Sequence, residues 1–313
     1  MLSSVMNVLP TSICKVIQSL SPMTLEKMEE IRVRVNRPLE LIVAGTPVFP
    51  PYTVTEEDGI QLLNKISHFS IYALEEELKR GFITIAGGHR VGLAGKVITQ
   101  NGYVKAIRDV ASFNIRIAKQ KIGVATPLLP FLYEGKWHST MILGAPQTGK
   151  TTMLRDLARS MSMGDKDKKI PSCKVGIVDE RSEIAGAVKG IPQHELGIRV
   201  DVLDGCPKAE GMMMLIRSMS PDVIVVDEIG RNEDSEAVKE AVNAGVGLLL
   251  SAHASSFQEL LIRPSVKEMI EMKAIKRYVI LGRANGPGTI KAVLDENGML
   301  ISSDKGVIPS CNY

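Results

Sequence analysis

Gly144-Ala145-Pro146-Gln147-Thr148-Gly149-Lys150-Thr151, entered from the apolar run Met141-Ile142-Leu143, is the stretch on which the fold of this chain turns. It fits GxxxxGK[ST] at every fixed position and stands between a strand-like run and a helical one, the setting that this pattern requires. Glycines let the backbone curl until its amide N–H groups point at phosphate oxygens, and the helix that starts there turns its positive dipole end to the same anion. A chance match in a chain of this length is on the order of one in a hundred, so a glycine turn that binds nothing is the weaker reading. Residues 144–152, closing with Thr152, are therefore expected to cradle the phosphates of ATP. Lys150 would reach the β and γ phosphates, and the Thr151 hydroxyl would bind Mg2+.

Three further strand-like runs end in polar residues. Asp222-Val223-Ile224-Val225-Val226 delivers Asp227 and Glu228, two adjacent carboxylates. Open parallel sheets bind ligands at the carboxyl ends of their strands, so Asp227 is expected in the magnesium shell and Glu228 beside the attacking water. Residues 174–178 run into Asp179, Glu180, Arg181, Ser182 and Glu183, where one of Glu180 or Glu183 could orient the water or the metal; the plain alternative is a surface charge cluster neutralised by Arg181. Leu248-Leu249-Leu250-Ser251-Ala252 ends in His253, at a position suited to sensing the γ-phosphate.

Working outward, strands alternate with helices after Ala125, the signature of a parallel sheet covered on both faces. Strands are expected at 139–143, 174–178, 222–227, 246–252, 277–281 and 289–294, with helices at 151–162, 210–219 and 235–244. Residues 1–125 read as a smaller α+β domain: a helix over 22–30, strands at 31–35 and 39–44, helices from Thr55 and over 72–80, then strands at 82–86, 91–98, 103–107 and 112–117. The domains expected are thus 1–125 and 126–313. Asp165-Lys166-Asp167-Lys168-Lys169 reads as a solvated turn, and Met212-Met213-Met214 as core packing.

At 313 residues, with 44% hydrophobic and 23% charged residues, the chain has the composition of an ordinary globular protein of two domains. A formal net charge of +3 and 4% aromatic residues supply neither an electrostatic stripe nor a stacking platform for nucleic acid. Cys14, Cys173, Cys206 and Cys311 have no metal-like spacing and are expected as reduced thiols. The first nine residues lack the features of a signal peptide, and no apolar run approaches the roughly 20 residues that span a bilayer, so membrane association is expected only through a partner.

Phosphate loop, acidic box, carboxylate-tipped strand and histidine box, in that order, resemble the secretion and type IV pilus ATPases, a RecA-like group. The likeness narrows to the stage III sporulation protein AA family through Glu29, Ile31, Arg32, Arg34 and Pro38; Gly87-Gly88-His89-Arg90-Val91-Gly92; Asn114-Ile115-Arg116-Ile117; Val178 to Glu183; and Pro192, Gln193, Leu203, Asp204 and Pro207 in the long loop 190–208. The resemblance implies an α/β RecA-like P-loop ATPase domain with a smaller N-terminal α+β domain. It further implies a cytosolic motor on the mother-cell side of a developing endospore, a homo-oligomer in the form of a hexameric ring, and separately encoded membrane subunits. An arginine is then expected at the γ-phosphate from the N-terminal domain or a neighbouring subunit, with Arg90, Arg116 and Arg231 as candidates, each equally readable as an ordinary surface ion pair. One position departs from pilus motors: they usually carry Gly before the catalytic Glu, and this chain carries Asp227. Two other readings stand beside the motor, an ATP-gated ring scaffold with negligible turnover and a nucleic-acid translocase.

Overall fold

The computed structural model describes residues 2–67 and 81–303, so the helix expected over 72–80 and Cys311 lie outside the described residues. Two compact units divide the chain, Met1–Lys119 and Gln120–Tyr313.

In the first unit Val5, Leu9, Ile13 and Ile17 recur every fourth residue, and all four are buried, on helices α1 (Leu2–Val8) and α2 (Thr11–Gln18) and, for Leu9, in the break before Pro10 that separates them. Helix α3 (Pro22–Lys27) starts at the Ser21 cap and is shorter than its sequence suggests. Met28 onward is drawn instead into strand β1 (Met28–Arg34), because pairing on both edges outweighs local helix preference. Strands β2 (Glu40–Val43) and β3 (Thr46–Val48) precede helix α4 (Glu56–Ile66), whose capping box joins Thr55 to Asp58. β4 (Phe82–Ile85), β5 (His89–Gln100) and β6 (Tyr103–Arg116) complete an antiparallel sheet in the order β3-β2-β1-β6-β5-β4. The two strands expected at 103–107 and 112–117 are one, β6, bent where its register against β5 shifts at Gly95.

The second unit begins with residues that pack into it: Ala125 is buried and its N–H donates to Asp156 Oδ2 at 2.8 Å. A short helix α5 (Leu129–Leu132) leads to strand β7 (Thr140–Leu143), the phosphate loop and helix α6 (Lys150–Met163). Then come β8 (Val175–Asp179), β9 (Val200–Asp204), α7 (Lys208–Ser218), β10 (Val223–Val226), α8 (Asn232–Asn243) and β11 (Gly247–Ala252). After α9 (Phe257–Leu261) and α10 (Pro264–Glu271), strands β12 (Arg277–Gly282), β13 (Thr289–Asp295) and β14 (Leu300–Ser303) close the unit. The strand order is β14-β13-β12-β7-β11-β10-β8-β9, parallel from β12 to β9.

Every residue of β7, β8 and β10 is buried, as a strand covered on both faces requires. Alternate residues feed two cores: Ile142, Ile177, Val225 and Leu249 pack with Met153, Leu154 and Leu157 of α6, while Met141, Val178, Ile224 and Leu250 pack with Val238 and Ala241 of α8. The segment 190–208, read from sequence as one long loop, contributes the edge strand β9 beside β8. Met212 is buried as expected, whereas Met214 is exposed. Cys14, Cys173 and Cys206 are free thiols.

Candidate active site

Because β7, β8, β10 and β11 run parallel and adjacent, their C-terminal ends meet on one edge, and the four polar segments singled out in the sequence emerge there together. β11 lies between β7 and β10, so His253 enters directly between the phosphate loop and the Asp227-Glu228 pair.

The loop itself is held by close backbone approach. Gly149 has φ +89°, and a Cβ there would stand 2.9 Å from the Gly288 amide nitrogen. That amide donates to the Thr148 carbonyl at 2.7 Å, and Arg283 Nη1 reaches Gln147 Oε1 at 3.5 Å. The turn after β12 thus buttresses the loop. A Cβ on Gly144 would collide with the Thr148 hydroxyl. Ala145 and Pro146 are exposed along the outer rim, and Thr152 follows Thr151 in the first turn of α6.

Lys150 is buried, and its Nζ donates to the carbonyls of Gly144 (2.9 Å) and Ala145 (3.1 Å) and meets His253 Nδ1 at 3.0 Å. Burial lowers its pKa, against the pull of the Asp227 and Glu228 carboxylates in the other direction. An ammonium has three protons and accepts nothing, so His253 Nδ1 must be the acceptor and the ring proton sits on Nε2. That Nε2–H faces Glu228 Oε1 at 2.9 Å. The other carboxylate oxygen of Glu228 pairs with Arg181 Nη1 at 2.8 Å.

Thr151 Oγ1 donates to Asp227 Oδ2 at 2.6 Å, and the Ser251 hydroxyl donates to Asp227 Oδ1. Ser251 Oγ also accepts the Glu228 N–H at 3.0 Å, and Lys208 Nζ donates to the Glu228 carbonyl at 2.9 Å. These anchors hold Glu228 at φ +56°, a left-handed conformation costing about 1–3 kcal/mol in a residue other than glycine. Lys208 Nζ also lies 3.1 Å from Glu180 Oε2, while Arg231 Nη1, largely exposed, is 3.9 Å from Glu180 Oε1.

Glu180 and Glu183 differ in placement. Both line a small cavity with Asp227, Glu228, Arg181 and Lys208, yet Glu180 is tied to cations while the Glu183 backbone is tied inward. Its N–H, with those of Ile184 and Ala185, donates to the buried Asp179 carboxylate at 2.8, 3.0 and 2.8 Å. Burial raises the Asp179 pKa despite those three amides. Arg155, buried on α6, donates to the carbonyls of Ile184 (2.7 Å) and Glu183 (2.6 Å), joining the phosphate-loop helix to this turn.

Arg90 and Arg116 belong to the first unit. They stand opposite each other across β5 and β6, Arg90 over the Phe82 ring at 4.0 Å and Arg116 3.7 Å from Glu30 Oε1. Residues whose roles the sequence reading passed over are Ser251, Lys208, Arg155 and Gly288. Ser251 carried a signal, since it precedes His253 by two on a strand and so shares its face. Lys208 and Gly288 are brought in by chain segments distant in sequence, and no local pattern marks them.

Residues 2–301 match the protein family described as Sporulation stage III, protein AA. Stage III sporulation protein AA of Bacillus subtilis (strain 168) is 55% identical over 306 residues, spanning 98% of this chain and 99% of that protein. Among solved structures, the Legionella pneumophila ATPase DotB superposes with a TM-score of 0.57 at 15% identity, covering 86% of this chain and 77% of its own. The pilus retraction motor PilT with bound ADP gives 0.58 at 15%, covering 87% and 78%. Likeness at this identity is one of fold: an α/β RecA-like domain with a smaller N-terminal α+β unit.

Proposed function

The chain belongs to the Sporulation stage III, protein AA family, and from that premise we propose that it is a Mg2+-dependent ATPase acting as a motor. The observation that carries the reading is the 2.6 Å bond between Thr151 and Asp227, which joins the phosphate loop to the carboxylate strand with Lys150 and Glu228 as immediate neighbours. A hydroxyl and a carboxylate side by side are hard oxygen donors, and two protein ligands suit Mg2+, which keeps waters and substrate phosphates as its remaining ligands. Thr151 and Asp227 would hold the ion, which when bound neutralises charge building on the β and γ phosphate oxygens.

The chain's own groups do the rest. Lys150 exchanges its carbonyl and imidazole partners for phosphate oxygens, and His253 is thereby released on its Nδ1 side. Glu228, freed from at least one of its two partners, accepts a proton from the attacking water. His253 and Arg181 each hold one oxygen of the Glu228 carboxylate. The finer assignment follows the motors it resembles: a hexameric ring beside separately encoded membrane subunits of a secretion-like complex during endospore formation.

The engagement of both Glu228 carboxylate oxygens favours a second reading, an ATP-gated scaffold with negligible turnover. Phosphate release with ATP and Mg2+ separates the two. Wild type should turn over. Glu228→Gln should lose about 10² to 10⁴ in kcat while still binding ATP, and Lys150→Ala should lose both. Wild type that binds ATP and releases phosphate no faster than Glu228→Gln would leave the scaffold.

A further inference from the structure

β5 and β6 pair from Arg90↔Arg116 out to Gln100↔Tyr103, but their neighbours cover only the base of this hairpin. β4 pairs with residues 89–92 of β5, and β1 with residues 112–116 of β6. Leu93 N–H still donates to the Gly81 carbonyl and the Ala111 carbonyl still accepts from Val35; beyond those two, among the described residues, the strands pair only with each other. The ribbon leaves the sheet at an irregularity where Gly95 crosses close to the partner strand: a Cβ there would lie 2.6 Å from the Arg108 carbonyl oxygen, and Asp109 opposite has φ +48°. Such an irregularity bends and twists a ribbon. The tip turns on Asn101 (φ +53°) and Gly102 (φ +79°).

What the arm carries is one-sided. From Lys96 to Arg108 there are three cations, Lys96, Lys105 and Arg108, and no Asp or Glu. Lys96 stands directly opposite Arg108, a like-charge pair that destabilises an isolated ribbon. Toward the tip Tyr103 is 80% exposed, Val97 49% and Val104 45%. A two-stranded ribbon is marginal by itself, and this one spends its apolar residues on solvent.

We propose that residues 96–108 form a contact arm for an anionic lipid bilayer. Val97, Tyr103 and Val104 sit at the headgroup boundary, and Lys96, Lys105 and Arg108 lie over headgroup phosphates. A surface with negative charge outside and hydrocarbon just beneath answers both features at once. Tyrosine, apolar in its ring and polar at its tip, prefers that boundary. The unpaired backbone edges of the ribbon stay hydrated at headgroup depth, so the arm lies in the interface and does not span. Aliphatic Val97 and Val104 offer no stacking face for bases, which favours lipid over nucleic acid. No helix among the described residues is long and apolar enough to cross a membrane.

The test is flotation of the full chain, without nucleotide, on vesicles of phosphatidylcholine alone and with about 30% phosphatidylglycerol, an anionic lipid. Wild type should float with the anionic vesicles only, and less as salt is raised. The double variant Lys96→Glu, Arg108→Glu and the tip variant Tyr103→Ser, Val104→Ser should each weaken flotation at least about tenfold while unfolding at the wild-type temperature, because the arm's tip packs on no core. Should one of them unfold early, Lys105→Glu alone, at an exposed position where the register shifts, carries the same expectation. Absence of wild-type flotation overturns the proposal. So does flotation that the arm variants leave unchanged. Charge-dependent flotation indifferent to the tip variant, with tighter retention on single-stranded DNA or an acidic polypeptide at equal salt, overturns it in favour of those partners.

Discussion

Glu228 is bound at each of its polar atoms: the N–H by Ser251, the carbonyl by Lys208, and the two carboxylate oxygens by His253 and Arg181. In the proposed reaction the side-chain contacts break and re-form, but the backbone contacts have no reason to. They hold the left-handed turn that points the carboxylate at the phosphate edge. If Glu228 is the base, Lys208 is a positioning residue, touching its backbone and only 10% exposed at its side chain. Lys208→Ala should lower kcat between about 10- and 100-fold, the scale of a small displacement of a catalytic group, with KM for ATP little changed. Lys208→Arg, which can still reach a carbonyl, should recover part of it. A rise in KM at unchanged kcat in steady-state assays would instead make Lys208 an ordinary binding residue and sink the idea. The place of Glu228 was legible in the sequence because an apolar strand ended just before it. The clamp around it was not, since Lys208 and Ser251 reach it through strand order and a long connection.

At the level of elements, the parallel strands were legible because burial on both faces makes each a nearly unbroken apolar run, and their polar ends marked the site. The first unit was read less well. Its N-terminal helices are short and split by Pro10, Met28 to Glu30 had helical company but two strand neighbours, and β6 is interrupted in pattern by the irregularity opposite Gly95. β9 was missed because an edge strand needs no continuous apolar run; its residues are only partly buried. The start of α4 was plain from Thr55 and the acids after it, yet its strength comes from further away. Asp58 is 4% exposed and accepts from the Thr55 backbone and hydroxyl (both 2.9 Å), the Tyr52 hydroxyl (2.6 Å) and the Ser12 hydroxyl. Burial alone would raise its pKa; the hydrogen bonds outweigh it, and the value falls below the ordinary 3.8. A carboxylate more acidic when folded contributes stability that is complete above its unfolded pKa and is lost as pH drops through the lower folded value. Asp58→Asn should therefore cost about 1–3 kcal/mol at neutral pH, a gap that narrows below about pH 3.8. Denaturant unfolding followed across that range, with the same gap at every pH, would show that the charge contributes nothing.

For the molecule as a whole, the proposed function predicts that binding and turnover respond differently to changes in the two units. Lys150, Thr151, Asp227, Glu228, His253 and Glu180 all belong to Gln120–Tyr313, so in the proposed reading the groups that would meet nucleotide lie in that unit of one chain. The cations of the same site are already engaged there: Lys150 with two carbonyls and His253, Arg181 with Glu228, Lys208 with Glu180 and Glu228. The transition state of phosphoryl transfer needs added positive charge, commonly an arginine worth 10³ or more in rate. In the ring-forming reading that charge is an arginine of the first unit or of a second copy, with Arg90, Arg116 and Arg231 as its candidates. ATP with Mg2+ should then raise the unfolding temperature equally at all protein concentrations, equivalent to about 2.7 kcal/mol at one hundred times Kd, and Lys150→Ala should abolish the shift. Turnover per chain should behave differently, climbing with protein concentration as copies assemble. Arg90→Ala and Arg116→Ala should retain the thermal shift and lose turnover. A turnover number flat from dilute to concentrated protein, with both arginine variants as fast as wild type, would mean that one chain completes its own site and that the ring is not part of the chemistry.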